Sequence, residues 1–363
     1  MNKIPVGVLG ATGMVGQNYL RLLNNHPWFE VVDIAASERS ANKLYEEAVS
    51  ERWLMQTKIP EKIKDLTVRN VAEFDSIPNN VKLFFSAAET PDKTDTKNLE
   101  FAYAELGFPV ISNSSANRWT SDVPIIIPEI NPDHADIFSI QQKNKNLPHT
   151  GFVAVKPNCS IQSYLVALAA LENEGFGIDK VQVVTMQALS GAGAKGVTNL
   201  EWRETVIPFI SGEEAKTEKE PLKILGKLTK SRIENAETPA FSAVCTRVPV
   251  VDGHTAVVQV SFKESKPSIK DIKRIWKNFR GEPQILKLPS APKKPIIFLD
   301  EPDRPQVKLD ANSENGMAVT IGRLEEDKFF DYRFVGLSHN TTRGAAGGAI
   351  LTAELLLEKG FIR

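Results

Sequence analysis

The amino-acid sequence predicts an α/β protein: a Rossmann-like parallel sheet in the N-terminal part, then an α+β unit on a mixed, largely antiparallel sheet. Three observations predict it. Apolar strand-like runs alternate with helical patterns up to about residue 150. A glycine-rich turn joins the first of those strands to the first helix. After it the texture changes to long strands of alternating polarity. A chain of 363 residues exceeds one ordinary core. Two domains are expected, residues 1–155 completed by a closing helix in 340–363, and residues 156–339.

Taken in order, residues 6–9 read as a buried strand and about 14–24 as the helix after it. Residues 31–35, 82–86 and 108–111 read as further strands. Strand–helix alternation implies parallel pairing with right-handed crossovers. The segment around His149-Thr150-Gly151 reads as a boundary. Residues 160–174 read as a strongly apolar helix, with Ile161, Leu165, Leu168 and Leu171 at helical spacing. Strands are then expected at 181–188, 241–251, 255–262, 317–322 and 332–337, with Asp252-Gly253 as a hairpin turn. The charged, partly helical stretch 192–239 reads as an insertion. Residues 344–357 form an Ala/Gly-rich helix suited to close packing on the first domain.

Composition narrows the function. The hydrophobic fraction of 42% and charged fraction of 25% are those of a soluble globular protein. The net charge of −1 provides no field for nucleic acid or an anionic membrane. No apolar run is long enough to span a bilayer. The start, Met1-Asn2-Lys3-Ile4-Pro5, lacks a signal-peptide core. Two cysteines make no disulfide framework, so a reducing cytoplasm is expected. No Cys/His spacing suggests a metal site. The partners expected are small molecules.

Gly10-Ala11-Thr12-Gly13-Met14-Val15-Gly16 follows the first strand and opens the first helix. Glycines there let the backbone turn tightly and approach a pyrophosphate held at the helix N-terminus. The second strand selects the cofactor. Asp33 lies inside it, too early to reach a ribose hydroxyl, whereas Ser37, Arg39 and Ser40 follow it and suit a 2′-phosphate. NADP is therefore expected; Glu38, pointing inward, would favour NAD. Ser86, closing the third expected strand, is a further cofactor candidate.

Lys156-Pro157-Asn158-Cys159-Ser160 joins an extended segment to the expected 160–174 helix. A thiol at a helix N-terminus is biased toward the nucleophilic thiolate. Asn158 there can help hold an oxyanion. A buried structural cysteine is the alternative, and Cys245, inside an apolar strand, fits that description better. Arg247 and His254 flank the Asp252-Gly253 turn. Thiol chemistry on an acyl group needs a neighbouring acid/base, and imidazole titrates near neutrality. Glu213 and Lys216 alone read as a solvated helix face, and Arg118 as a loop cation.

The ordered set of motifs resembles the aspartate-β-semialdehyde dehydrogenase family, specifically its archaeal/fungal branch. It runs nearly end to end: Gly10 to Gly13, Ala36 to Ser40, Pro157 to Ser160, Gln187 to Gly193, Glu213 to Lys216, Arg247 to Thr255, and Asn340 to Gly347. The resemblance implies Cys159 as nucleophile and His254 as acid/base. Arg247 would bind the substrate α-carboxylate and Glu213 its α-amino group. Arg118 and Lys216 would hold phosphate, with Gln187 beside the thioester. Ser190, Gly191 and Asn340 would contact the cofactor. The implied reaction is NADPH-dependent reductive dephosphorylation of L-aspartyl-4-phosphate to the semialdehyde by a homodimer or homotetramer. The rival readings are an NADPH-dependent malonyl-CoA reductase, against which Glu213 counts, and a catalytically silent NADP-binding regulator.

Overall fold

Val6, Val8 and Leu9 are fully buried, as a strand covered on both faces requires. They end β1 (Ile4–Leu9) at the centre of a six-stranded sheet. Its other strands are β2 (Phe29–Ala36), β3 (Arg69–Asn70), β4 (Leu83–Ser86), β5 (Pro109–Ser112) and β6 (Phe152–Val155). The order is β3-β2-β1-β4-β5-β6, and every pairing is parallel. The computed structural model describes residues 3–363, so the first two residues of the expected first domain lie outside the described residues. The edge strand β3 has no counterpart in the sequence reading. It is tied to β2 by a buried ion pair, Arg69 Nη2 to Asp33 Oδ2 at 2.8 Å. That pairing also accounts for Asp33, which serves the sheet.

The second sheet contains β7 (Ile178–Gln187), β10 (Ala240–Arg247), β11 (His254–Phe262), β12 (Ile296–Phe298), β13 (Val319–Glu326) and β14 (Tyr332–Ser338). A two-strand ribbon, β8 (Lys227–Leu228) with β9 (Ile233–Glu234), stands apart. The main order is β10-β7-β11-β14-β13-β12. Helices Leu165–Asn173 and Ile269–Asn278 back one face, where Trp276 Nε1 donates to Ala167 O at 2.9 Å. The opposite face leaves Val184, Met186, Val257 and Val335 partly exposed. The closing helix Gly347–Glu358 buries Ala349, Ile350, Ala353 and Leu356 in the same core as Val6 and Val8 of β1.

Three expectations are corrected. Asp252-Gly253 is not a hairpin turn: β10 pairs parallel with one side of β7, and β11 pairs antiparallel with the other. Pro249 has no N–H for a ladder, and residues 248–253 cross the end of β7, with Leu189 N donating to Val250 O at 2.8 Å. The expected 160–174 helix is broken: a 3₁₀ turn, Ser160–Ser163, precedes the α-helix, and Tyr164 between them leaves the helical backbone region with φ −145°. The stretch 192–239 is no peripheral insertion, because its helix Glu213–Ile224 packs on β10 and beneath the cleft.

Candidate active site

β6 ends at Val155, and the chain from Lys156 to Cys159 enters a cleft between the two sheets. The cleft encloses about 230 Å³ and is lined by residues of both sheets' connections, among them Val15, Arg118, Asn158, Cys159, Glu213 and Lys216. The crossing of residues 248–253 over β7 lies behind the lining residues Cys159, Ser190 and Gly191. Arg247 is in register with Gln187 on one side of β7, and His254 begins β11 on the other side. Two residues that are neighbours across a turn in sequence thus flank Gln187 in space.

Cys159 Sγ lies 3.3 Å from His254 Nε2. The backbone N–H of Ala188 donates to His254 Nδ1 at 3.0 Å. Because Nδ1 accepts, the neutral ring carries its proton on Nε2, facing the sulfur. Burial and the nearby Arg247 push the imidazole down to about 3, so it is neutral around pH 7. Gly191 lies over this pair. A Cβ there would sit 2.6 Å from Arg247 Nη1 and 2.9 Å from His254 Cε1. Arg247 itself donates from Nη1 to Ala188 O at 2.8 Å.

The thiol is not favoured by a helix dipole, contrary to the sequence expectation. The residues after Cys159 form only the short 3₁₀ turn, and burial, together with Glu213, pushes the thiol up. Lys156, Arg118 and Arg247 act in the opposite direction. Gly344 backs the cysteine: a Cβ there would lie 2.9 Å from Cys159 Cβ.

Asn158 is bound on three sides. Its Nδ2 donates to Glu213 Oε1 at 2.6 Å, its backbone N–H to Glu220 Oε2 at 2.7 Å, and its Oδ1 accepts from Ser160 N at 3.0 Å. Glu213 also accepts from Gln187 Nε2 at 3.3 Å and from Lys216 Nζ at 3.0 Å. Burial raises the Glu213 carboxyl, but Lys216 and the bonds from Asn158 and Gln187 outweigh it and leave it below the usual range. Glu214 takes another direction, accepting from Cys245 N at 3.2 Å. Arg118 donates to Glu220 Oε1 at 2.8 Å, to Lys156 O and to Asn113 O, both at 3.1 Å.

Glu220 and Lys156 are absent from the sequence expectations. Glu220 stands seven residues after Glu213, two helical turns along the same face, and that spacing was the available signal. Lys156 is 3% exposed, and its Nζ donates to Pro157 O. Burial lowers its ammonium to about 7.

The turn from Gly10 to Gly13 abuts the end of β4. Gly10 has φ +72°, and a Cβ there would meet Ala87 O at 2.4 Å, while one on Gly16 would meet Gly10 O at 2.2 Å. Ala11 is buried, its carbonyl accepting from Tyr45 Oη at 2.9 Å. Thr12 O accepts from Gln17 Nε2 at 3.1 Å. Met14 and Val15 open the helix Met14–Leu23, and Val15 lines the cleft. Ser37 and Arg39 are exposed beyond β2, and Ser40 is buried with Arg52 Nη2 donating to its Oγ at 3.2 Å. Ser190, Gly191 and Asn340 line the cleft, and Asn340 ties the crossing together, accepting from Gly253 N at 2.7 Å and donating to Ser190 Oγ at 2.8 Å. Ser86 is a correction. Its hydroxyl donates to Glu100 Oε1 at 2.8 Å inside a fully buried cluster with Ser112 and Asn117, turned from the cleft.

Two family models match the chain: the semialdehyde dehydrogenase NAD-binding domain at residues 5–137 and the semialdehyde dehydrogenase dimerisation domain at residues 168–343. The aspartate-semialdehyde dehydrogenase of Archaeoglobus fulgidus is 42% identical over 360 residues, covering 99% of this chain and 100% of that protein. The Schizosaccharomyces pombe enzyme is 39% identical over 363 residues, covering 98% of this chain and 99% of that protein. The crystal structure of aspartate semialdehyde dehydrogenase with NADP from Candida albicans has a TM-score of 0.88 at 36% identity, covering 99% of this chain and 100% of that one.

Proposed function

The chain belongs to the aspartate-semialdehyde dehydrogenase family, and from that membership we propose how its cleft works. The enzyme is an NADP-dependent, phosphorylating aldehyde dehydrogenase. It converts L-aspartyl-4-phosphate reversibly to L-aspartate-4-semialdehyde and phosphate, in the route to lysine, threonine and methionine.

The residues present fit the dinucleotide. Gly10 and Gly16 keep the turn after β1 free of side chains, and Val15 carries the helix start to the cleft. Ser37, Arg39 and Ser40 would hold the 2′-phosphate, and Ser190, Gly191 and Asn340 the nicotinamide side. Bound there, NADPH supplies the hydride.

The observation that carries the reading is the 3.3 Å approach of Cys159 Sγ to His254 Nε2 at the floor of the cleft. Cys159 attacks the acyl carbon and forms a thioester as phosphate leaves, which divides the reaction into two accessible steps. His254 is the acid/base: its Nε2–H, facing the sulfur, stabilises the thiolate before attack and passes the proton to the thiolate as it departs, solvent then restoring the ring. Arg247 pairs with the α-carboxylate, for which a planar guanidinium is suited. The lowered Glu213 carboxyl is anionic and receives the α-ammonium. Arg118 and Lys216 face the phosphate, and Gln187 and Asn158 orient the acyl group.

The chain divides functionally into residues 1–155 with 340–363, and residues 156–339. Its half-exposed apolar sheet face at Val184, Met186, Val257 and Val335, within the segment that matches a dimerisation domain, supports a homodimer. Two free thiols, Cys159 and Cys245, suit a reducing cytoplasm.

Phosphate-dependent reduction of NADP with aspartate semialdehyde tests the assignment. No turnover with that substrate, combined with oxidation of NADPH by malonyl-CoA, overturns it.

A further inference from the structure

Helix Glu213–Ile224 carries a stripe of alternating charge: Glu213, Lys216, Glu220 and Lys223. Their spacings of three, four and three residues bring all four to one face. Glu213 and Lys216 line the cleft. Glu220 lies behind them and holds the Arg118 guanidinium at 2.8 Å and the Asn158 N–H at 2.7 Å. Lys223, last in the stripe, is 4% exposed, and its Nζ donates to Arg118 O at 2.8 Å and to Thr120 O at 2.7 Å.

Both partners of Lys223 are carbonyl oxygens, and the carboxylates of Asp122 and Glu220 act on it only through space. Burial disfavours the ammonium and lowers it to about 8. What the buried amine secures is the main chain on either side of Trp119, at two points. The opposite side of this loop is held from the first sheet, where Asn117 Nδ2 donates to Glu100 Oε2 at 2.7 Å. Arg118 therefore stands between two anchors, and both its side chain and its main chain are tied to the helix that bears Lys216.

We propose that Lys223 is a positioning residue for the phosphate subsite: by gripping the Arg118 and Thr120 carbonyls it keeps the Arg118 guanidinium in a fixed relation to Lys216, so that the two cations meet one phosphate together. The inference rests on the reading of Arg118 and Lys216 as the phosphate ligands. A guanidinium presents its donors in a rigid plane, so its match to phosphate depends on where its backbone stands. Arg118 commits donors to Glu220, Lys156 O and Asn113 O, and a guanidinium has five N–H groups, so donors remain for phosphate. Without Lys223 the helix holds the loop through the Arg118 side chain, the very group that serves the substrate. The two bonds of Lys223 reach none of the residues assigned to the α-carboxylate, the α-ammonium or the dinucleotide.

The experiment is steady-state kinetics of the full-length enzyme in the phosphorylating direction, with inorganic phosphate, aspartate semialdehyde and NADP varied in turn. Lys223→Met is expected to raise the KM for phosphate by about ten-fold, while the KM values for aspartate semialdehyde and NADP stay within about two-fold. Lys223→Gln, which can still donate to one carbonyl, is the milder variant and should raise the phosphate KM by less. Lys223→Arg, whose guanidinium can donate to both carbonyls, is expected to recover most of the loss. In an Arg118→Met background, where the phosphate KM is already raised, Lys223→Met should add less than about two-fold, because it acts through Arg118. A phosphate KM unchanged in Lys223→Met and Lys223→Gln, with a raised one in Arg118→Met, overturns the proposal and leaves the phosphate ligands in place. Equal rises in all three KM values, or a full additional rise in the Arg118→Met background, mark a merely structural role and overturn it too. A phosphate KM unchanged in Arg118→Met overturns the reading of Arg118 and the proposal with it.

Discussion

Arg118 and Glu220, 102 residues apart in the chain, meet at 2.8 Å in an almost fully buried ion pair that joins the two halves of the cleft. The same Glu220 receives the backbone N–H of Asn158, next to the cysteine. Arg118 is therefore oriented as well as charged when it faces the cleft. Removing one member of a buried pair leaves the other uncompensated. Glu220→Ala should cost about 3–5 kcal/mol of unfolding free energy, read by chemical denaturation. A loss below about 1 kcal/mol, the range of surface pairs, would show that the pair carries little.

Cys159→Ser should abolish turnover to within the detection limit while leaving the Kd for NADPH nearly unchanged, because the hydroxyl is a far weaker nucleophile in the same space. Fluorescence titration with NADPH and a phosphate-dependent assay measure the two separately. Substantial residual turnover is incompatible with a thioester.

The 2′-phosphate site proposed beyond β2 is tested by removing its cations. Arg39→Ala should raise the KM for NADPH much more than that for NADH. Arg52→Met should do the same to a lesser degree, since Arg52 holds Ser40 by a 3.2 Å bond. Equal changes for both nucleotides in both variants would remove the 2′-phosphate assignment.

Gly191→Ala places a methyl group 2.6 Å from Arg247 Nη1 and 2.9 Å from His254 Cε1. The loop or the two side chains must shift, and a misplacement of that size in a catalytic site is costly. We expect kcat/KM for aspartate semialdehyde to fall by about ten-fold or more, with the melting temperature changed little. Full activity in this variant would mean that Arg247 and His254 need not stay where they lie.

The buried imidazole links stability to pH. His254 is held at about 3 in the fold, whereas an unfolded histidine titrates near ~6.5. Its neutral form is favoured by the fold, so the contribution is fully present above the unfolded value. It is lost as pH falls from about 6.5 toward 3, by up to about 1.4 kcal/mol per pH unit. His254→Asn lacks this contribution. Urea denaturation of both proteins at pH values across that window should show the parent losing stability more steeply; parallel curves would place the imidazole pKa near its free value.

The sequence by itself determined the parallel first sheet, the glycine turn that opens the dinucleotide site, and the residue types of the chemistry, because periodicity and glycine spacing are local properties. Asp33 was legible as a strand residue, although its partner Arg69 was not. Tertiary structure decided what those residues face. Asp252-Gly253 carries a hairpin signature, yet the chain crosses β7 there, because β10 and β11 pair with opposite edges of β7. That crossing puts Arg247 and His254 on opposite sides of Gln187. Helix 213–224 looked like a solvated face until burial turned Glu213 and Glu220 toward Asn158. Ser86 sat at the correct strand end, but its hydroxyl was claimed by Glu100. The charge state of Cys159 was the least legible feature. A helix dipole is readable in sequence, whereas desolvation and the fields of Glu213, Lys156, Arg118 and Arg247 depend on distances that only packing sets.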